Sequence, residues 1–203
     1  MISLIISLTL AYLIGSIPTS YIFAKALKKI DIREHGSGNV GATNVFRTVG
    51  KIPGIIVLLI DVAKGVVAVS LLSEVFLSNW TGVILGLEFY KILLGMCAIA
   101  GHVFSVFLRF KGGKGIATTG GVLIALAPGT LLACLAIWII VFAVFRIVSI
   151  ASIIASLSLP IFAVIFYRSF YFVIFCVILC LASVYKHKAN IKRLLRGEEK
   201  RLI

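Results

Sequence analysis

The chain has 203 residues, 61% of them hydrophobic and only 13% charged, with a mean hydropathy of +1.17. A soluble domain carries about a quarter charged residues, so a soluble globule and a disordered chain are both excluded. Twenty Lys and Arg stand against seven Asp and Glu, a net charge of +13, but these cations form no soluble basic face and do not read as a nucleic-acid surface.

Apolar runs of about 20 residues, enough to span a bilayer, follow one another between polar or Gly/Pro breaks. The first covers roughly 2–27. It is longer than a signal-peptide core and lacks a small-residue cleavage pattern, so it is expected to be retained. A polar stretch, KKIDIREHGSGNVGATNVFRTVGK, occupies 28–51, and the second and third spans are expected near 53–73 and 83–108. After RFKGGKG at 109–115, an apolar stretch runs to Tyr185, divided into four pieces by Pro128-Gly129, Arg146 with Ser149, and Tyr167-Arg168-Ser169. The piece at 114–127 is short and reads as tilted or partly re-entrant. The expectation is one all-α, polytopic membrane domain over 1–203 with about seven transmembrane helices, five or six being the alternatives. Cys97, Cys134, Cys176 and Cys180 lie in apolar stretches without zinc-like spacing and read as small buried hydrophobes.

Sorting the cations by side gives the net charge a meaning. With seven spans, the 28–51 loop, the 109–115 element, the turn at Arg146 and the tail fall on one face and hold 17 Lys and Arg. The other face has only Lys91 and Arg168, while Lys64 lies within a span. The positive-inside rule then makes the 17-rich face cytoplasmic, with the N-terminus outside and the C-terminus cytoplasmic.

Three polar elements on that face have the residue types that phosphate chemistry needs. In GSGNVGATNVFR, 36–47, small residues let backbone approach a ligand, Ser37, Asn39, Thr43 and Asn44 offer polar partners, and Arg47 supplies a planar fork. Its G-x-G-x-x-G with Asp61 downstream mimics a dinucleotide fingerprint, but no strand precedes it. In FKGGKG, 110–115, Lys111 and Lys114 bracket Gly112 and Gly113 at the start of a helical segment, where ammonium groups and backbone donors can meet an anion. In the tail, the spacing of His187 and Asn190 puts them on one helical face, near Arg193 and Glu198/Glu199. Taken singly these are a flexible glycine loop, a capped basic turn and a basic helix on anionic lipid. Within the spans, Asp61 and Lys64 at i,i+3 read as a mutual pair, His102 as a group that orients the second element or as a satisfied interior histidine, and Trp80 and Trp138 as interface anchors or packing.

Together and in this order, the elements resemble the bacterial membrane acyl-phosphate:glycerol-3-phosphate acyltransferases. The resemblance rests on GSGNVGATNVFRTVGK at 36–51, GHVFSVFLRFKGGKGIAT at 101–118 and KHKANIKRLLRGEE at 186–199, supported by DVAKG at 61–65 and RIVSIASI at 146–153. One departure is Ser105, where the family commonly has proline. The resemblance implies transfer of an acyl group from acyl-phosphate to the sn-1 hydroxyl of glycerol 3-phosphate, giving lysophosphatidic acid and phosphate in phospholipid biosynthesis. It implies catalytic roles for Ser37, Arg47, Lys111, Lys114, His187 and Asn190. Substrate contacts are implied for Asn39, Gly41, Thr43, Asn44, Gly112 and Gly113, and for Ser149 or Ser152. No cofactor, metal or covalent acyl-enzyme is expected. Implied partners are the two substrates, membrane lipids and a peripheral acyl-phosphate-forming enzyme, not nucleic acid. The implied location is the bacterial inner membrane with a cytoplasmic site.

No H-x-x-x-x-D follows any of the three histidines and no G-x-S-x-G occurs, so the soluble-type acyltransferase pair and the hydrolase elbow are absent. The alternative is a small transporter or channel for an anionic solute, which would want charged or broken helices at mid-membrane. A metal-dependent phosphotransferase would need several aspartates, and only Asp31 and Asp61 are present.

Overall fold

The computed structural model describes residues 2–77 and 86–202; Trp80 and the expected start of the third span at 83 lie outside the described residues. The chain divides into two compact units, 1–126 and 127–203.

The first unit opens with α1 (Ile2–Ser16) and α2 (Thr19–Lys28), separated by Ile17-Pro18. Proline has no N–H and cannot continue the helical ladder, so carbonyls just before it lose their usual partners. Two replacements come from distant residues. The Ser105 hydroxyl donates to the Ser16 carbonyl, and the Lys64 ammonium donates to the Ile17 carbonyl. Ser105 thus uses a hydroxyl that a proline at this position would lack.

Small residues set the helix spacing, as expected where lipid removes the usual hydrophobic drive between helices. A Cβ at Gly101 of α5 (Leu87–Val103) would stand 2.1 Å from the Tyr12 carbonyl oxygen of α1. One at Gly121 of α6 (Ile116–Leu126) would run into the Val62 carbonyl of α4 (Lys51–Leu77). Around these contacts Ala11, Ala68, Leu72, Tyr90, Leu94 and Ala98 form one core cluster. A second cluster, Ala24, Ile32, Val40, Val45, Val57 and Leu108, lies beneath the first polar stretch. Ile32 and Val45 are fully buried, each contributing about 1.5–3 kcal/mol relative to exposure. The polar 28–51 stretch is therefore a docked element, with a short helix α3 (Ala42–Thr48) inside it.

The second unit contains α7 (Pro128–Phe145), α8 (Val148–Phe166), α9 (Phe170–Lys186) and α10 (Lys188–Leu195). Pro128 starts α7 at a position where its missing N–H costs nothing. The Trp138 indole donates to the Ser152 hydroxyl at 3.1 Å and stacks on Phe142 at 4.9 Å, so Trp138 is a packing residue. The Ser156 and Ser183 hydroxyls meet at 2.7 Å and tie α8 to α9. Side chains such as Leu132, Val144, Ile161 and Leu181 remain more than half exposed, the surface a helix presents to lipid.

Among the described residues, five helices are long and apolar enough to cross a membrane, or six if α9 and α10, bent by 55°, count as one span. The expected figure of about seven counts α6 as well. Its 11 residues reach about 16 Å, half the hydrocarbon thickness of about 30 Å.

Candidate active site

The first polar loop is organised around Asn44. This side chain is 1% exposed, and its Oδ1 accepts the Ser37 N–H at 3.0 Å. Its Nδ2 donates to the carbonyls of Ile32, His35 and Asn39 at 3.2, 2.9 and 3.0 Å. The expected substrate contact from Asn44 is therefore not how the amide is used: it staples residues 32–39 from within. Gly36 makes this possible, with φ +63° and no Cβ to strike the Asn44 oxygen 2.2 Å away. The result leaves Ser37 exposed at the loop surface, Asn39 and Thr43 half-buried, and Arg47 half-buried in the last turn of α3. Gly41 caps the start of α3, and its carbonyl accepts the amides of Asn44 and Val45. At the loop's start, a fork of bonds from Arg33 to Asp31 at 2.6–3.2 Å holds the Asp31 carboxyl at about 2, well below the usual carboxylate range.

The second element packs against the first. The Gly112 and Gly113 amides donate to the carbonyls of Val103 and His102 at 3.2 and 3.0 Å, so they are not the anion donors expected from sequence. Their lack of side chains has another purpose. A Cβ on Gly112 would lie 2.1 Å from the His102 carbonyl oxygen. One on Gly113 would lie 2.3 Å from His102 Nε2 and 2.5 Å from the Val40 carbonyl oxygen. The glycines let the lysine loop lie on His102 and on the first polar loop at once. Lys111 is exposed and Lys114 half-buried beside them.

Beneath this junction is a small cleft bordered by Pro18, Ser20, Val40, Asp61, Lys64, His102 and both glycines among others. Asp61 and Lys64, 2% and 4% exposed, pair at 2.6 Å as expected. His102 Nδ1 stands 3.8 Å from the same carboxylate. Desolvating two charges is costly, so this pair specifies how α4, the α1–α2 break and His102 meet more than it adds net stability.

In the second unit, His187 forms the hinge between α9 and α10 and is 2% exposed. Its Nδ1 lies 2.8 Å from the Ser183 carbonyl oxygen. A carbonyl only accepts, which places the proton on Nδ1 and makes Nε2 the basic nitrogen of the neutral ring. Asn190, 7% exposed, lies one turn on. Ser149 opens α8, and its hydroxyl donates to Glu199 Oε1 at 2.8 Å. Asn190 Nδ2 donates to the same oxygen at 2.6 Å, and Arg193 Nε to Oε2 at 2.6 Å. Burial acts to raise the Glu199 carboxyl, but these three hydrogen bonds outweigh it and hold the group below its ordinary value. Ser152 lies deeper, with its hydroxyl accepting from Trp138.

Sequence reasoning thus located the right elements, and its reading of His102 as a group that orients the lysine loop agrees with the contacts at Gly113. It missed two relationships: Asn44 as the staple, and Glu199 as the point joining Ser149 to Asn190. Glu199 and Ser149 are 50 residues apart, and nothing in the sequence couples them.

Residues 5–197 match the family model described as glycerol-3-phosphate acyltransferase. A glycerol-3-phosphate acyltransferase of Desulforudis audaxviator is 48% identical over 98% of this chain and 96% of its own length. One from Thermosynechococcus vestitus is 45% identical over 95% and 92%. Among solved structures, the glycerol 3-phosphate form of PlsY (YgiH), an integral membrane glycerol 3-phosphate acyltransferase, superposes with a TM-score of 0.86 at 36% identity, covering 98% of this chain and 95% of that one. Its lysophosphatidic acid form gives 0.83 at 34% identity over the same shares. The chain is therefore a multi-pass helical membrane enzyme that belongs to the glycerol-3-phosphate acyltransferase family.

Proposed function

We propose that the chain, acting over 1–203 as one acyltransferase, moves an acyl group from acyl-phosphate to the sn-1 hydroxyl of glycerol 3-phosphate. The products are lysophosphatidic acid and inorganic phosphate, an early step of phospholipid biosynthesis. The observation that carries this reading is the likeness over nearly the whole chain to a structure described as a glycerol 3-phosphate form.

Acyl-phosphate is a mixed anhydride with a good leaving group. The glycerol hydroxyl attacks the acyl carbon, a new C–O ester bond forms, the bond to the phosphate oxygen breaks, and phosphate departs. Such a reaction needs positioning and charge stabilisation more than a protein nucleophile. Arg47, Lys111 and Lys114 supply positive charge for phosphate groups, and Ser37 an exposed hydroxyl. Asn39, Gly41 and Thr43 shape the first loop, while Gly112 and Gly113 seat the second. His187 Nε2 or a phosphate oxygen of the substrate takes the hydroxyl proton, and Asn190 with Ser149 orients the hydroxyl. The apolar tail of the donor lies among the spans or in lipid.

The reaction faces the cytoplasm, where a peripheral enzyme supplies acyl-phosphate at the bacterial inner membrane. The support is the charge count of 17 against two. That count takes seven crossings, α6 included.

The test is turnover by purified protein in detergent or lipid, given labelled glycerol 3-phosphate with acyl-phosphate or acyl-CoA, each with and without chelator. Lysophosphatidate formed only from acyl-phosphate and unaffected by chelator supports the reading; no product in any arm refutes it. His187→Ala or Arg47→Ala with wild-type turnover removes those residues from their roles.

A further inference from the structure

The turn that leads from α5 into the lysine loop is fixed from the inside and apolar on the outside. Ser105 and Leu108 are buried; the Ser105 hydroxyl bonds the Ser16 carbonyl, and Leu108 belongs to the cluster beneath the first loop. Around them Val106, Phe107 and Phe110 are 41, 59 and 61% exposed, and Arg109 is exposed as well. The Phe110 N–H donates to the Ser105 carbonyl at 2.8 Å and the Lys111 N–H to the Leu108 carbonyl at 3.1 Å, which closes the turn.

The backbone here would suit glycine. Arg109 and Phe110 have φ +52° and +61°, two consecutive left-handed residues that carry side chains, an arrangement that costs energy for any residue with a Cβ. Both side chains point away from the core, so what they offset that cost against lies outside the protein. Leu87–Leu108 is one apolar stretch long enough to cross a membrane, and the turn stands where that stretch meets the headgroups. Exposed phenylalanine beside arginine is the combination such a boundary favours. No acidic residue occurs between Glu88 and Glu198, and among the described residues Arg109 enters no ion pair.

We propose that residues 106–110 form an anionic-lipid-binding surface. Phe107 and Phe110 enter the acyl boundary of the adjoining leaflet, and Arg109 binds the headgroup of a phospholipid that carries net negative charge. A zwitterionic headgroup brings a compensating ammonium with its phosphate and is bound less well. The proposal does not depend on the acyl-transfer reading.

The test places a tryptophan in the turn, Phe107→Trp, in a Trp80→Phe/Trp138→Phe background. The full chain is reconstituted in mixed phosphatidylcholine and phosphatidylglycerol vesicles with one lipid or the other brominated on its acyl chain. Bromine quenches a tryptophan in contact with that chain, so the two mixtures together read the relative affinity for the anionic lipid. The expectation is quenching by both, with a preference for phosphatidylglycerol of about fivefold or more, the scale of one cation near an anionic surface. Ile139→Trp, at a residue 54% exposed within α7, is quenched with a preference within about twofold of unity. Arg109→Gly adopts the left-handed φ freely and so keeps the fold, while the preference at 107 falls about fivefold; Arg109→Lys retains it. Raising salt to about 1 M weakens the preference with Arg109 in place, which carries the test should the glycine variant not fold.

A tryptophan at 107 that neither lipid quenches overturns the proposal and leaves this face to water or to a protein partner. Quenching without lipid preference overturns it too, since the turn would then be an apolar anchor alone. So does a preference that both Arg109→Gly and salt leave unchanged.

Discussion

Replacing Gly113 by alanine is the sharpest test of how the two polar loops depend on each other. Gly113 does not have a positive φ, so alanine carries no backbone strain there, and the effect isolates packing. The added carbon would stand 2.5 Å from the Val40 carbonyl oxygen and 2.3 Å from His102 Nε2, where ordinary contact begins at 3.4 Å. The first loop must retreat by about 0.9 Å and the imidazole by about 1.1 Å, or the lysine loop must rise by a similar distance. The His102 side chain is only 9% exposed, with Nδ1 3.8 Å from Asp61, and Val40 belongs to the buried cluster beneath the first loop; neither gives way freely. A misplacement of about 1 Å costs on the order of 100-fold in a reaction that depends on positioning. The expectation is a kcat/KM about 100-fold lower in the acyl-phosphate assay, with helical content preserved and overpacking destabilising by about 1–3 kcal/mol. Gly120→Ala is the control. Its Cβ meets nothing within 4 Å, and alanine favours α6 by about 1 kcal/mol, so activity is retained. Removing the imidazole as well, in His102→Ala/Gly113→Ala, relieves one of the two clashes and is a direct check on the geometry. Gly113→Ala with kcat/KM within about threefold of wild type would refute the reasoning.

Lys64→Met strands the buried Asp61 carboxylate and removes a donor from Ile17; it destabilises by about 3–5 kcal/mol, whereas Asp61→Asn/Lys64→Met together cost less, a difference that paired unfolding curves will read. Asn44→Asp replaces the donor to three carbonyls with an acceptor, so the first loop loosens; limited trypsin digestion cuts faster at the exposed Arg33, and an unchanged cleavage rate argues against the staple. The Asp31 carboxyl is lowered from its reference value of 3.8 to about 2. Its contribution is therefore fully present above pH 4 and lost as the pH falls toward 2. Titration of the carboxyl by NMR gives a midpoint near the lower value in wild type and near the upper one in Arg33→Ala; equal midpoints would exclude the Arg33 bond as the cause.

The membrane class, the order of the apolar helices and the three polar elements were legible in the sequence because they follow from local quantities. A run of apolar residues has a length and a mean hydropathy whatever surrounds it, and the Asp61–Lys64 pair is visible because i,i+3 residues share a helix face. What each polar residue does was decided only by tertiary contacts. Asn44 reads in sequence like any loop amide offering itself to substrate, yet its burial turns it inward on four backbone groups. Gly112 and Gly113 read as phosphate donors, yet their amides are bonded and their missing side chains admit His102 and Val40. Glu199 reads as one acid in a basic tail, yet chain reversal at Gly197 brings it onto Ser149 and Asn190. A hydrogen-bonding group is specified by its type, but its partner is specified by which distant backbone arrives within about 3 Å, and that is a property of the packed helices alone.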